Sequence, residues 1–275
     1  MQSLKYILPL LFFFPFVASA ALTDNLIAYW NLNEESGTRE DSTAANEDLT
    51  DNNTVLFGTG KIGNAADFEL SNSESLSNAG ITAGNGGDFS ISMWVNYEAF
   101  THDGNLFTYG PASVANMLRI VLGTAGGNKM TVEWWDNAVA HSSRTFTLPA
   151  SSLGTWYHIV ATFDVSAGQT GILLYQDGSA VTPTEGDNAA SSRSNTTELF
   201  ALASFRASSN YFDGLQDEIG IWDRVLTSAE VTSLYNGGAG FAYPFTVAAV
   251  LITPIPATIY EEMGLLAKPE EIVYV

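Results

Sequence analysis

Residues 211–235, YFDGLQDEIGIWDRVLTSAEVTSLY, decide how the rest of this 275-residue chain is read. An acidic pair, Asp217-Glu218, leads into an apolar strand, Gly220-Ile221-Trp222, and Asp223-Arg224 make a turn. Thr227 then stands three residues before Glu230. That is the spacing of a capping box, in which each side chain satisfies a free backbone N–H of the other at a helix start. Val231 and Leu234 share one face of the helix, Tyr235 lies beside them, and Gly237-Gly238 end it.

Upstream, β-branched and aromatic runs alternate with turn residues at short spacing, the pattern of a sandwich or barrel. Strands are expected at 26–32 (LIAYWNL), 60–68 (GKIGNAADF, a glycine turn entering a strand), 106–109, 117–123 and 130–135, and again at 199–205 and 211–222. In 89–97 (FSISMWVNY), Phe89, Ile91, Met93, Val95 and Tyr97 fall on one face, and Trp94 on the other with Ser90 and Ser92. WYHIVATFD (156–164) and GILLYQ (171–176) read as hairpin partners, and Asp177-Gly178 is a two-residue turn signal leading into 179–181. The polar stretches 33–53 and 185–197 read as loops. No internal repeat is present.

The two ends differ from this pattern. Lys5, the apolar run 7–17 and the small residues Ala18-Ser19-Ala20 form a secretory signal over residues 1–20, with cleavage before Ala21. Pro9 and Pro15 interrupt the run, which is short for a membrane span. The mature chain is expected to be secreted or extracellular, periplasmic or on a cell surface, with no span after signal cleavage. At the other end, 239–275 reads as an extension. It is apolar after Phe241 but broken by Pro244, Pro254 and Pro256, with a weak helix at 259–267 and a terminal EEIVYV. Two readings stay open for it: packing on its own domain or a neighbour, or connection to a surface or assembly.

Composition narrows the function. Thirty acidic and ten basic side chains leave a formal net charge of −20. Nucleic acid and anionic membranes, which need Lys/Arg neutralisation, are poor partners, whereas the acidic excess can attract divalent cations. There is no cysteine, so neither a disulfide framework nor thiol chemistry is available. The roughly 255 residues left after cleavage are a common size for one all-β sandwich.

Five segments in order carry a family resemblance: LIAYWNLNEESGT with Asp41-Ser42 after it, GKIGNAADF, FSISMWV, WYHIVATFD followed by GILLYQDG, and the 211–235 unit. Together they resemble laminin-G-like, concanavalin A-like jelly-roll domains over residues 22–238. The absence of cysteine points to the bacterial or phage type. The resemblance implies an all-β, two-sheet antiparallel jelly-roll sandwich with one short C-terminal helix. It also implies one structural Ca2+ near the meeting of first and last strands, with Asp217 at the matching position and Asn33, Glu34 and Asp41 as its nearest partners.

Chemistry is sparse. Laminarinase-type hydrolases place three carboxylates on one strand face. The nearest string here, Glu185-Gly186-Asp187, lacks the third, and Glu133 and Asp136 are three apart on a strand and so face opposite sides. His102, His141 and His158 show no metal spacing, and no serine sits in Gly-x-Ser-x-Gly. For a sugar, the aromatic pair Trp134-Trp135 offers one ring to each face, with Asp136, Asn137 and Tyr97 as polar contacts. The expectation is a non-enzymatic binding module for a carbohydrate or an extracellular surface protein. The alternatives are a structural or adhesion component acting through its tail and, third, a polysaccharide-degrading hydrolase.

Overall fold

The computed structural model of the chain describes residues 22–82, 87–100, 103–111, 116–123, 129–136, 140–149, 152–188, 190 and 197–246. The segment read as a signal, His102, Asn137 and the tail from 247 lie outside the described residues. In chain order the strands are β1 (Leu26–Trp30), β2 (Thr50–Asn52), β3 (Leu56–Thr59), β4 (Asn64–Phe68), β5 (Ser75–Thr82), β6 (Phe89–Tyr97), β7 (Asn105–Gly110) and β8 (Leu118–Leu122). They continue with β9 (Lys129–Trp135), β10 (His141–Thr147), β11 (Trp156–Phe163), β12 (Ile172–Gln176), β13 (Ser179–Ala180), β14 (Pro183–Asn188), β15 (Thr197–Leu202) and β16 (Gly214–Trp222). One helix, α1 (Ser228–Tyr235), follows β16. The first sheet runs β13-β12-β11-β6-β16-β4-β3, with β1 also paired to β16, and the second runs β14-β10-β9-β8-β7-β15-β5-β2. All pairings are antiparallel, which is the two-sheet sandwich expected from the sequence.

Alternation builds the core. Phe89, Ile91, Met93, Val95 and Tyr97 of β6 face Met130, Val132 and Trp134 of β9 and their neighbours in one buried inter-sheet cluster. Phe89 packs on Phe107, Tyr109 and Phe163 with ring centroids 5.9–6.2 Å apart, and Trp30 stacks on Phe200 at 5.0 Å. Full burial of each such side chain stabilises the fold by about 1.5–3 kcal/mol.

A second apolar cluster lies on the outer face of the first sheet. Tyr29, Val160, Tyr175 and Trp222 are covered there by Val231 and Leu234 of α1. The capping box is present: Thr227 Oγ1 accepts from Glu230 N, and Glu230 Oε2 accepts from Thr227 N at 2.8 Å. Arg224 donates to both Glu230 oxygens at 2.9 and 2.7 Å, tying the turn to the helix. The helix ends one residue earlier than the glycines would place it. Asn236 is its C-cap at φ 49°, a left-handed position that Asn tolerates. Asp177 and Gly178 both have positive φ, as a type I′ turn requires. A Cβ on Gly178 would meet the Tyr235 ring at 3.0 Å, so the close approach of α1 also needs that glycine.

Two stretches read as loops contain strands. Residues 183–188 pair with β10 as edge strand β14, although Glu, Gly, Asp and Asn are poor strand formers. Main-chain pairing and a Lys129–Glu185 ion pair at 3.2 Å hold it. Residues 33–53 end in β2 and enclose a bridge between Arg39 and Leu49. The compact unit runs to Phe245, whose buried ring meets Tyr29 at 5.4 Å and Trp222 at 6.5 Å.

Candidate functional site

The acidic pair sits where β16 changes partner. Residues 214–216 pair with β4 and residues 219–222 with β1, and the register against β6 shifts between Asp217 and Gly220. Glu218 has φ 53° at this bulge. In a regular strand 217 and 218 would point to opposite faces; the bulge lets both reach the outer face of the first sheet. Asp217 Oδ2 accepts from Ile62 N at 3.0 Å, which fixes the β3–β4 turn. The Tyr29 hydroxyl donates to Glu218 Oε2. Burial raises the Asp217 pKa to about 8 and that of Glu218 to about 7, because a desolvated carboxylate is costly. Beside them, His158 Nε2 shares a hydrogen bond with Ser92 Oγ at 2.9 Å, and burial lowers its pKa to about 3. Its neutral ring packs between Trp94 and Tyr235 at 5.1 and 6.1 Å. The recess between Tyr29, Ser92, Trp94, His158, Glu218 and Phe241 measures about 10 Å³. That is room for one water and not for a sugar ring.

The four expected calcium donors are all in the described part, and each accepts hydrogen bonds from its surroundings. Asn33 Oδ1 accepts from Asn64 N at 2.7 Å, so Asn33 and Asp217 grip the same β3–β4 turn from two sides. Glu34 Oε1 accepts from Glu40 N at 2.8 Å. Asp41 organises its own loop, accepting from Tyr29 N and Thr43 N on one oxygen and from Thr43 Oγ1 and Glu47 N on the other. Asp217 and Glu34 each retain one buried oxygen without a hydrogen-bond partner among the described residues. Among those residues, the three carboxylates whose oxygens all lie within 4.8 Å of one another are a different set, Asp67, Glu69 and Glu98.

The outer face of the second sheet is differently built. Met130, Val132 and Trp134 point into the core, so Lys129, Thr131, Glu133 and Trp135 point away from it. Strand registers then lay one row across all eight strands: Asp187, Ser143, Glu133, Arg119, Thr108, Ala201, Ser77 and Thr50. At its centre Arg119 forms an ion pair with Glu133, and the Arg119 guanidinium lies 5.4 Å from the Phe205 ring centroid. One step along the strands, the half-buried Trp135 stacks on His141 at 4.6 Å. His141 Nε2 lies 3.5 Å from Asp187. Trp135 Nε1 has no hydrogen-bond partner among the described residues.

This placement corrects part of the sugar-binding set. Trp134 and Tyr97 are fully buried in the inter-sheet core, because alternation assigns them to the inner face, so neither can touch a ligand. Asp136 is 4% exposed, and its Oδ1 accepts from Ala140 N at 3.0 Å, a loop-closing role. Trp135 alone of the described candidates reaches the outer face. Arg119, His141 and Phe205 were not anticipated there. The one legible signal was Arg119, a lone charge inside the apolar run LRIVL.

Sequence comparison with curated proteins finds no relative. Solved structures with the same fold include domain 4 of AbnA, a GH43 extracellular arabinanase from Geobacillus stearothermophilus, in complex with arabinotriose. The TM-score is 0.59 at 21% identity, covering 76% of this chain and 97% of that one. The binding domain of Paraclostridial Mosquitocidal Protein 1 matches at a TM-score of 0.60 and 17% identity, over 78% of this chain and 52% of that one. The binding domain of botulinum neurotoxin DC in complex with rat synaptotagmin II matches at 0.57 and 11%, over 78% and 51%. This chain therefore spans about half of each toxin domain. The family model of the concanavalin A-like lectin/glucanases superfamily matches residues 63–232, and the chain belongs to that superfamily.

Proposed function

We propose that this chain is a secreted, non-enzymatic binding module that recognises a carbohydrate on the outer face of its second sheet, around Trp135. The observation that carries the reading is the half-buried Trp135 stacked on His141 beside the Arg119–Glu133 pair, on the outer side of β9 and its neighbours. A partly exposed indole beside charged and hydroxyl side chains is the combination that holds a sugar ring, apolar on one side and polar at its edge. Glu133 is engaged by Arg119, and Glu185 and Asp187 lie on the edge strand β14. A two-carboxylate hydrolytic pair around a scissile bond needs a different arrangement, so the reading expects no release of reducing sugar. Fold neighbours, an arabinanase domain solved with arabinotriose and a toxin binding domain solved with rat synaptotagmin II, support a binding role for the scaffold. An extracellular surface protein is the second ligand class to screen.

The test is a glycan-array and polysaccharide-retardation screen of the full chain and of Trp135→Ala. Binding to a defined glycan that weakens roughly tenfold or more in Trp135→Ala supports the reading. Binding that survives the substitution moves the site elsewhere, and silence of both on glycans with capture of a surface protein replaces the carbohydrate. Calcium stabilisation is a separate proposal with its own measurement. A rise in Tm on adding calcium after chelation supports it, and an unchanged Tm removes it.

A further inference from the structure

We propose that the free edge of β3 is a docking site for an extended, apolar, lysine- or arginine-rich segment of a partner protein, added to the first sheet as a further strand. This surface is separate from the Trp135 face and does not depend on it. Among the described residues five strands are edges, and four are blunted. Loop 41–42 closes on β1, where Tyr29 N donates to Asp41 Oδ1 at 3.0 Å and Tyr29 O accepts from Ser42 N at 2.7 Å. β13 is two residues long and touches α1. β14 carries Pro183, Glu185 and Asp187. β2 is three polar residues, and Asn52 Nδ2 folds back onto Ser75 O and Ser77 Oγ. Short length, proline and charge are the usual protections against unwanted strand pairing.

β3, Leu56–Thr59, carries neither proline nor charge. Among the described residues it ends the first sheet, pairs only with β4, and leaves Leu56 56% and Phe57 44% exposed. The Gly60 N–H to Gly63 C=O bond, 3.0 Å, closes its hairpin. Antiparallel alternation therefore turns the N–H and C=O groups of Phe57 and Thr59 away from β4, towards the open side. Leu56 pairs with Asp67 and so lies on the outer face, whereas Phe57 pairs with the core residue Ala66 and sits at the mouth between the sheets. An incoming strand would meet one apolar side chain on each face, the pattern of strand addition.

Charge selects the partner. Asp67, on the strand next to β3, lies with Glu69 and Glu98, their oxygens within 4.8 Å of one another. Burial first, then repulsion from one another, Glu74 and Asp213, raises the pKa of all three. Among the described residues, no Lys, Arg or His forms an ion pair with any of these five acids. Cationic side chains beside the added strand would relieve that repulsion. A second copy of this chain, at −20, would add to it.

The experiment titrates the full chain with a labelled peptide of alternating valine and lysine. The controls are a valine–glutamate peptide and a valine–lysine peptide with proline at alternate positions. The expected result is binding of the first peptide with new amide-exchange protection at Phe57 and Thr59, and roughly tenfold or more weaker binding of both controls. The double variant Leu56→Lys, Phe57→Lys should lose the binding at unchanged Tm, since both side chains are exposed. Equal binding of the proline peptide, or undiminished binding by the double variant, overturns the proposal. A concentration-dependent dimer in sedimentation that the double variant abolishes also overturns it, by making a second copy the occupant.

Discussion

The two outer faces of the sandwich differ in what covers them, and their polar groups differ accordingly. On the first sheet, α1 and residues 241–245 close over Tyr29, Trp94, His158, Asp217 and Glu218. Burial there drives the carboxyls and the imidazole towards their neutral forms. On the second sheet, Arg119 pairs with Glu133, His141 lies 3.5 Å from Asp187, and Trp135 stays half-exposed. The lesson is that a row of conspicuous acids, aromatics and a histidine is no guide to a binding site until its cover is known. The covered face carries the more suggestive residues and has room for one water.

If the covered face is structural, its substitutions lower stability in a definite order. Trp222→Ala should cost most, about 3–5 kcal/mol, because the ring is fully buried and Nε1 donates to Leu22 O at 2.7 Å. A thermal melt showing a shift of only a degree or two would break the comparison. Next comes pH. Asp217 and Glu218 have folded-state pKa values raised above the ordinary 3.8 and 4.5. Their contribution to stability is therefore complete below pH 4 and is lost as pH rises through about 7 and 8, by a few kcal/mol in order of magnitude. Denaturant unfolding from about pH 5 to about pH 8.5 should show falling stability, flattened in Asp217→Asn, Glu218→Gln. Rising stability over that range would contradict the burial argument. Glu230→Ala removes the cap and the Arg224 pair, and about 1–2 kcal/mol is expected from denaturant midpoints. On the outer face of the second sheet, where Trp135 is half-exposed, Trp135→Ala should cost only about 1 kcal/mol of stability.

The closing unit was the most legible part of the sequence. Capping box, turn and helix all follow from spacing between near neighbours, and so does the hairpin at Asp177-Gly178. Alternation placed Phe89 to Tyr97 and Trp134/Trp135 on opposite faces. It did not say which face was core at β9, because that depends on which sheet lies behind it. The bulge at Glu218 was not readable: two strands meet β16 end to end there, and neither is adjacent in sequence. β14 was missed because its pairing to β10 outweighs poor local propensity. The acids Asp67, Glu69 and Glu98 converge from β4, its following turn and the end of β6, a juxtaposition that only the register reveals.

The central claim is the division of labour between the two faces, and one paired measurement tests it most directly. Tm and polysaccharide retardation are measured together on the wild type, Trp135→Ala and Trp94→Ala. Trp94 is 3% exposed on the covered face, beneath Lys61 and against Tyr235. The account predicts that Trp135→Ala loses retardation with little change in Tm, while Trp94→Ala melts lower and, below its melting point, is retarded like the wild type. Retardation lost in Trp94→Ala but kept in Trp135→Ala would contradict it and move the binding site to the covered face.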